Sequence, residues 1–233
     1  MTHVIAVVGG SGKIARQLLP LLLERGDVVV PLVRRSEQAR ELAALGAQPR
    51  MLDIENADVA DFAAAFEGVD AVVFAAGGGP DGNALRKRTV DLDGAIKSLA
   101  ACEVAGVRRY IQVSAIGVDA KVAMSASAVW ASYVVAKRDS DEAVRDSGRD
   151  GPVRRPATGL EGAATDRVRL GTGLEPADVT RADVAAAIAA VLVEPGSIGR
   201  QWDLVGGAAP LQDALAQALT APPQAWLEAP ENS

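Results

Sequence analysis

Val4-Ile5-Ala6-Val7-Val8-Gly9-Gly10-Ser11-Gly12-Lys13-Ile14-Ala15 is the stretch on which the fold turns. Five apolar, mainly β-branched residues without polar alternation read as a strand covered on both faces. Glycines follow at once. The apolar spacing then lengthens to a helical period over residues 14–25 and stops at Gly26, a residue suited to a left-handed helix C-cap. Strand, glycine loop and helix in that order bring backbone N–H groups to the positive end of a helix dipole, where an anion is stabilised. Gly9, Gly12 and Ala15 stand three apart, which lets the backbone approach the diphosphate of a dinucleotide. A nucleoside-triphosphate loop would need glycine where Val7 stands and Ser or Thr where Ile14 stands. Gly9, Gly10, Ser11, Gly12, Lys13 and Ile14 are therefore the expected diphosphate contacts.

Outward from this loop the same alternation repeats. Strand-like runs at 28–33, 50–53, 71–76 and 110–113 are separated by helical patterns at 37–45, 59–66 and 89–105, the first and last ending at Gly46 and Gly106. Short connections between such units predict a doubly wound α/β parallel sheet, Rossmann-like, with right-handed crossovers. The second half is less regular: a helix over 125–147, a weak strand over 153–156 and a loop-rich stretch over 159–176. Thr180 then caps a helix through Val193, with Asp183 in a capping-box position, before a strand at 201–205 and a helix at 211–219. The expected organisation is one dinucleotide-binding domain over 1–221, with a small substrate region at about 157–180 and 206–221 and a loose tail over 222–233.

Composition narrows the function. The 233 residues are 49% hydrophobic and 23% charged with a net charge of -6, a folding chain whose negative field opposes nucleic acid or anionic lipid as the main partner. The basic clusters Arg34-Arg35, Arg86-Lys87-Arg88, Arg108-Arg109 and Arg154-Arg155 read as solvated charge. Cys102 is alone, so no intrachain disulfide is possible, zinc sites of the Cys/His type lack ligands, and a buried hydrophobe is its expected role. The start carries no basic leader region, and the longest apolar run, 184–193, falls short of the ~18 residues of a membrane span. A cytoplasmic protein with no metal and no membrane partner is expected. His3 has no partner in sequence and is given no chemistry.

Leu32-Val33-Arg34-Arg35-Ser36 ends the second strand with arginine where an acidic residue would accept from a ribose hydroxyl. Arginine there pairs with a 2′-phosphate, so NADP is expected over NAD, with Arg34 the first choice and Arg35 the second. Asp53, beside Ile54, follows the third strand as an acceptor for the adenine amino group, and Ala75-Ala76-Gly77 ends the fourth with small side chains beside the cofactor. Tyr133 and Lys137 form Tyr-x-x-x-Lys, which a helix sets one turn apart on one face. A cation there would lower the phenol's pKa from about 10 and make Tyr133 a general acid or base. Ser114 follows the fifth strand, where a hydroxyl can meet a substrate oxygen. Trp130 reads as packing, with a place in the substrate pocket as the alternative.

These motifs resemble the short-chain dehydrogenase/reductase superfamily, and within it the atypical members with an NmrA-like NAD(P)H-binding domain. The resemblance spans nearly the whole chain to about Gly207 and includes Asp91-Leu92-Asp93-Gly94-Ala95, Tyr110-Ile111-Gln112-Val113-Ser114, Arg155-Pro156, Arg181-Ala182-Asp183-Val184-Ala185 and Leu204-Val205-Gly206-Gly207. It implies a nicotinamide cofactor, a Ser114, Tyr133 and Lys137 constellation with Lys137 also on the nicotinamide ribose, and a nicotinamide-side wall at Pro156, Ala157 and Thr158. Two departures stand out. Asp91 replaces the superfamily's usual Asn, so a carboxylate holds the relay position. Gly148-Arg149-Asp150-Gly151-Pro152-Val153-Arg154 carries charge where relatives have a hydrophobic strand, which predicts a distorted strand there. The reading is an NADP-dependent oxidoreductase or epimerase/dehydratase acting on a small carbonyl or hydroxyl compound, as monomer or homodimer. Direct hydride transfer to a flavin or quinone, and a non-catalytic NADP-binding redox sensor, are the alternatives.

Overall fold

Val4–Val8 forms β1, and its neighbours on either side, Val28–Val33 (β2) and Ala71–Phe74 (β4), run parallel to it. Ile5 and Val7 join one apolar cluster with Leu18, Leu19 and Leu22, while Ala6 and Val8 join another with Phe62, Phe66 and Phe74. All four strand residues are at most 1% exposed, as the unbroken apolar run of β1 requires. The computed structural model describes residues 2–79, 81–150, 153–156 and 159–222, with 153–155 described through their backbone alone.

The remaining strands are β3 (Arg50–Met51), β5 (Arg109–Val113), β6 (Val153–Pro156), β7 (Gly159–Leu160), β8 (Arg167–Gly171), β9 (Val179–Thr180), β10 (Gln201–Gly206) and β11 (Ala209–Pro210). Among the described residues, nine of the eleven strands make one sheet in the order β3-β2-β1-β4-β5-β6-β10-β8-β11, parallel from β3 to β10, with β8 antiparallel to both β10 and β11. Chain order reverses direction between β1 and β4. The crevice beyond the carboxyl ends of those two strands is where a doubly wound sheet binds ligand.

Helices cover both faces: α1 (Lys13–Glu24), α2 (Ser36–Ala44), α3 (Val59–Ala65), α4 (Ala84–Arg86), α5 (Gly94–Val104), α6 (Ala128–Asp146), α7 (Arg181–Leu192) and α8 (Leu211–Thr220). Among the described residues, none is long and apolar enough to cross a membrane.

Three local expectations are corrected. The helix expected over 89–105 starts earlier, at Ala84, and between α4 and α5 it is π-helical over Lys87–Asp93. The loop-rich stretch at 159–176 contains β8, whose Val168 and Leu170 are buried between exposed arginines, and β7, which pairs with β9. Its alternation of charged and apolar residues was a period-2 signal masked by the surrounding glycines. The strand at 153–156 also forms despite its charged entry, pairing with β5 and β10. Arg108 makes a two-point contact with the Asp150 carboxylate (2.8 and 2.9 Å), and Arg109 donates to the Asp150 carbonyl at 2.8 Å, so the polar approach to β6 is satisfied.

The basic clusters are not uniformly solvated. Arg109 reaches the carbonyls at the end of α7 and Ser197 Oγ (2.6 Å), tying β5 to that helix, and Lys87 is 6% exposed. His3, expected to be partnerless, lies 3.6 Å from Asp27. Cys102 is buried as expected, and burial pushes its thiol up to about 12, with Arg149 opposing weakly. It is a packing residue at neutral pH.

Thr180 Oγ1 caps α7 by accepting from the Asp183 N–H at 3.0 Å, but Asp183 does more than return the favour. Its carboxylate, on a residue 2% exposed, accepts from the backbone N–H of Thr165 and of Asp166 (both 2.9 Å) and from both threonine hydroxyls (2.8 Å each). Asp166 is held at φ 54°, a left-handed conformation that a non-glycine residue adopts at a cost. Asp183→Ala removes a buried carboxylate that accepts four charge-assisted hydrogen bonds and should destabilise the fold by about 2–3 kcal/mol, against about 1 for Thr180→Ala. Equal thermal shifts for the two variants would refute the pinning role of Asp183.

Candidate active site

Every strand that ends at the crevice contributes a backbone turn or a polar group. After β1, Gly9 adopts φ 81°, and a Cβ on it would lie 2.7 Å from Ala76 Cα. A Cβ on Gly12 would lie 3.0 Å from the Gly9 carbonyl oxygen. Only glycine allows this closeness, and the product is a shallow cradle at the start of α1. α1 has no side-chain cap and no acidic residue in its first turn, so its leading N–H groups remain available to an anion. The cradle therefore fits a diphosphate.

Gly10 serves differently: its α-carbon packs on β2, where a Cβ would come 2.4 Å from Pro31 Cβ. A groove of 570 Å³ runs from the cradle past Arg34, Asp53 and Ile54 to Ala75, Ala76 and Gly77. Arg35, at the N-cap of α2, does not border it. Burial would raise the Asp53 carboxyl, but hydrogen bonds from Asn56 and the Glu55 N–H, with the Arg34 charge, hold it below the usual carboxylate value. Gln38 also borders the groove and donates to Ser11 Oγ at 2.9 Å. Residues of this kind, brought in by the first turns of a following helix, carry no sequence signal.

The groove opens into a cleft of 380 Å³ bordered by Lys87, Asp91, Ser114, Trp130, Tyr133, Lys137 and Pro156. Tyr133, Ala75, Ala76 and Gly77 border both spaces, so the phenol stands at their junction. The motif residues of Tyr-x-x-x-Lys lie on α6. The Lys137 ammonium is buried, donating to the Val113 carbonyl at 3.0 Å and pairing with Asp91 Oδ1 at 3.2 Å. Asp91 Oδ2 accepts from the Gly78 N–H at 2.8 Å. One carboxylate thus joins the loop after β4 to the lysine of α6 across the π-helical segment. Ser114 Oγ donates to Asp141 Oδ2 at 2.8 Å, and both residues are buried. Ala157 and Thr158 lie outside the described residues.

The electrostatics differ from the expected pattern. Burial raises the Tyr133 phenol above its usual value and is only partly countered by Lys137, while Asp91 and Asp141 push it the same way as burial. Lys137 is pulled down by burial, but Asp91, Tyr133 and Asp141 together hold it above the usual lysine value. The phenol is not lowered because burial outweighs the Lys137 charge, and the Asp91 and Asp141 carboxylates add to burial. Without ligand, Tyr133 is a protonated phenol next to a charged lysine, arranged to give a proton rather than to take one. Trp130 is half-exposed in this cleft, its ring 5.5 Å from that of Tyr133 at 33°.

A family model described as NAD(P)H-binding matches residues 9–195. A UPF0659 protein of Saccharomyces cerevisiae is 35% identical over 224 residues, covering 89% of this chain and 95% of that one. A protein of Bacillus subtilis named as an uncharacterized sugar epimerase is 32% identical over 212 residues, covering 91% and 98%. Among solved structures, a Bacillus halodurans protein provisionally named an NAD-dependent epimerase/dehydratase is 34% identical with a TM-score of 0.83, covering 92% of this chain and 99% of that one.

Proposed function

The chain belongs to the NAD(P)H-binding family, and from that premise we propose that it is an NADP-dependent oxidoreductase or epimerase of a small carbonyl or hydroxyl compound, with Tyr133 as the proton donor. The observation that carries the reading is the position of the protonated Tyr133 phenol where the dinucleotide groove meets the cleft, backed by the Lys137–Asp91 pair. The nicotinamide supplies the hydride when bound. The chain's residues orient and protonate: the cradle and Arg34 hold the two phosphate ends, Lys137 holds the ribose, and Tyr133 delivers a proton to the substrate oxygen. Ser114 serves as the second oxygen ligand by turning its hydroxyl from Asp141 to that oxygen. Asp91 keeps Lys137 charged and in place. Ala157 and Thr158 are retained with Pro156 as the nicotinamide-side wall.

Arg34 is exposed and borders the groove, which supports a pairing with a 2′-phosphate. Arg34→Asp should abolish a preference for NADPH over NADH at a cost of about 1.5–3 kcal/mol in NADPH binding. Equal affinities of the unaltered chain for both cofactors, titrated by nicotinamide fluorescence, would sink the NADP assignment.

The exposed Trp130 ring beside Tyr133 favours a second reading, in which a planar quinone or flavin stacks in the cleft and takes the hydride directly. A panel of aldehydes, ketones, quinones and flavins followed at the nicotinamide absorbance separates the two. Tight cofactor binding with no turnover on any of them would replace both with a redox-sensing role.

A further inference from the structure

Among the described residues, the charged groups bordering the cleft are Lys87, Asp91, Lys137 and Arg181. Asp91 is paired with Lys137 at 3.2 Å, and Arg181 is paired with Glu161 at 2.8 Å. Lys87 remains. It is 6% exposed, its ammonium donates to the carbonyl of Gly79, and no carboxylate among the described residues lies within ion-pair distance of it; its charge reaches Asp81 only from farther off, and that carboxylate is paired with Arg86. A buried ammonium with one neutral acceptor keeps most of its desolvation cost, because an ammonium has three hydrogens to place and a charge to balance. Its flanking residues are settled otherwise: Arg86 pairs with Asp81 and Glu55, and Arg88 is largely in solvent.

The π-helical segment sets this up. Lys87 and Asp91 are one wide turn apart, and both border the cleft, whereas Val90 borders the dinucleotide groove. π-helical turns recur at functional sites because they present side chains that a regular helix would direct elsewhere. Lys87 borders the cleft and not the groove, so a cofactor phosphate is not its expected counter-ion.

We propose that Lys87 is a specificity-determining residue, and that the substrate is a carbonyl or hydroxyl compound bearing an anionic group, a carboxylate or a phosphate, that pairs with the Lys87 ammonium. This rests on the reading of the cleft as the substrate site. A chain of net charge -6 repels anions at long range, which makes a local buried cation without an ion-pair partner among the described residues the discriminating element.

The test loads the full chain with NADP and titrates benzoate against benzyl alcohol, and glycerol 3-phosphate against glycerol, by calorimetry. The corresponding aldehydes, 4-carboxybenzaldehyde against benzaldehyde and glyceraldehyde 3-phosphate against glyceraldehyde, are assayed with NADPH. At least one anionic member should bind about ten- to a hundredfold more tightly than its neutral counterpart. The pair that shows the preference tells carboxylate from phosphate. Lys87→Met should erase the preference and Lys87→Arg should retain it, with circular dichroism reporting that each variant is folded. A residue that merely braces the loop at Gly79 predicts no dependence on ligand charge. Anion preference in binding without turnover upholds the Lys87 assignment while the oxidoreductase reading fails. The proposal is overturned if no anionic probe binds in preference to its neutral counterpart at millimolar concentration, or if the preference survives in folded Lys87→Met. Should that variant fail to fold, lack of preference in the unaltered chain still overturns it, and its presence in both the unaltered chain and Lys87→Arg upholds it.

Discussion

Tyr133→Phe is expected to lower turnover by roughly 10²–10⁴ while leaving NADPH affinity unchanged, the usual worth of a positioned proton donor. The substitution removes one oxygen from the junction of groove and cleft and leaves the ring beside Trp130 in place. The pH profile is a second check. Because burial raises the phenol above 10.0, Tyr133 keeps its proton through neutrality, and reduction should show no alkaline loss from this group until about pH 10 or above. Once the pH passes the raised value of the phenol, the donor ionises and the rate falls. Unchanged turnover in Tyr133→Phe would shift weight to direct hydride transfer to a quinone or flavin, which needs no side-chain acid.

Asp91→Ala is expected to cost about 3–5 kcal/mol of stability, because it leaves the Lys137 ammonium buried and uncompensated. The side chains of the pair are 1% and 5% exposed, so solvent does little to soften that loss. Asp91→Asn should fall between the two. A carboxylate accepts from the Gly78 N–H with Oδ2 and faces the Lys137 ammonium with a charged Oδ1 at 3.2 Å, whereas a neutral amide has a single oxygen and must turn its NH₂ toward one of the donors. The departure from the superfamily's usual Asn therefore has a structural use here. Lys137 is raised above 10.5, so its contribution to stability is complete below that pH and disappears as the pH climbs through the raised value. Urea denaturation at pH 7 and at pH 9 should then give the same difference between variant and parent. A loss under 1 kcal/mol for Asp91→Ala would mean that the pair does not hold the loop and α6 together.

The residues that gather at the crevice were legible wherever their placement depended on local spacing. The glycine loop, the strand-end Arg34 and the one-turn separation of Tyr133 and Lys137 are each properties of a few consecutive residues, and groove and cleft collect them. Lys87 illustrates the limit. Within Arg86-Lys87-Arg88 it is indistinguishable from its neighbours, and burial separates the three by the direction a wide helical turn gives each side chain. β8 was missed for a related reason, since five residues of alternating pattern acquire meaning only beside β10.

The sequence by itself determined the doubly wound sheet, because a strand covered on both faces and a helix capped by glycine are written in period and composition. It also determined the glycine loop at the start of α1, whose requirement is the absence of side chains. Tertiary structure alone decided the protonation of the site. The motif places a cation beside Tyr133, but burial, joined by Asp141 and by Asp91 from a segment more than 40 positions away, reverses the sign of the shift on the phenol. Charge and desolvation act through space, and so the direction of a pKa follows from the fold and not from the motif.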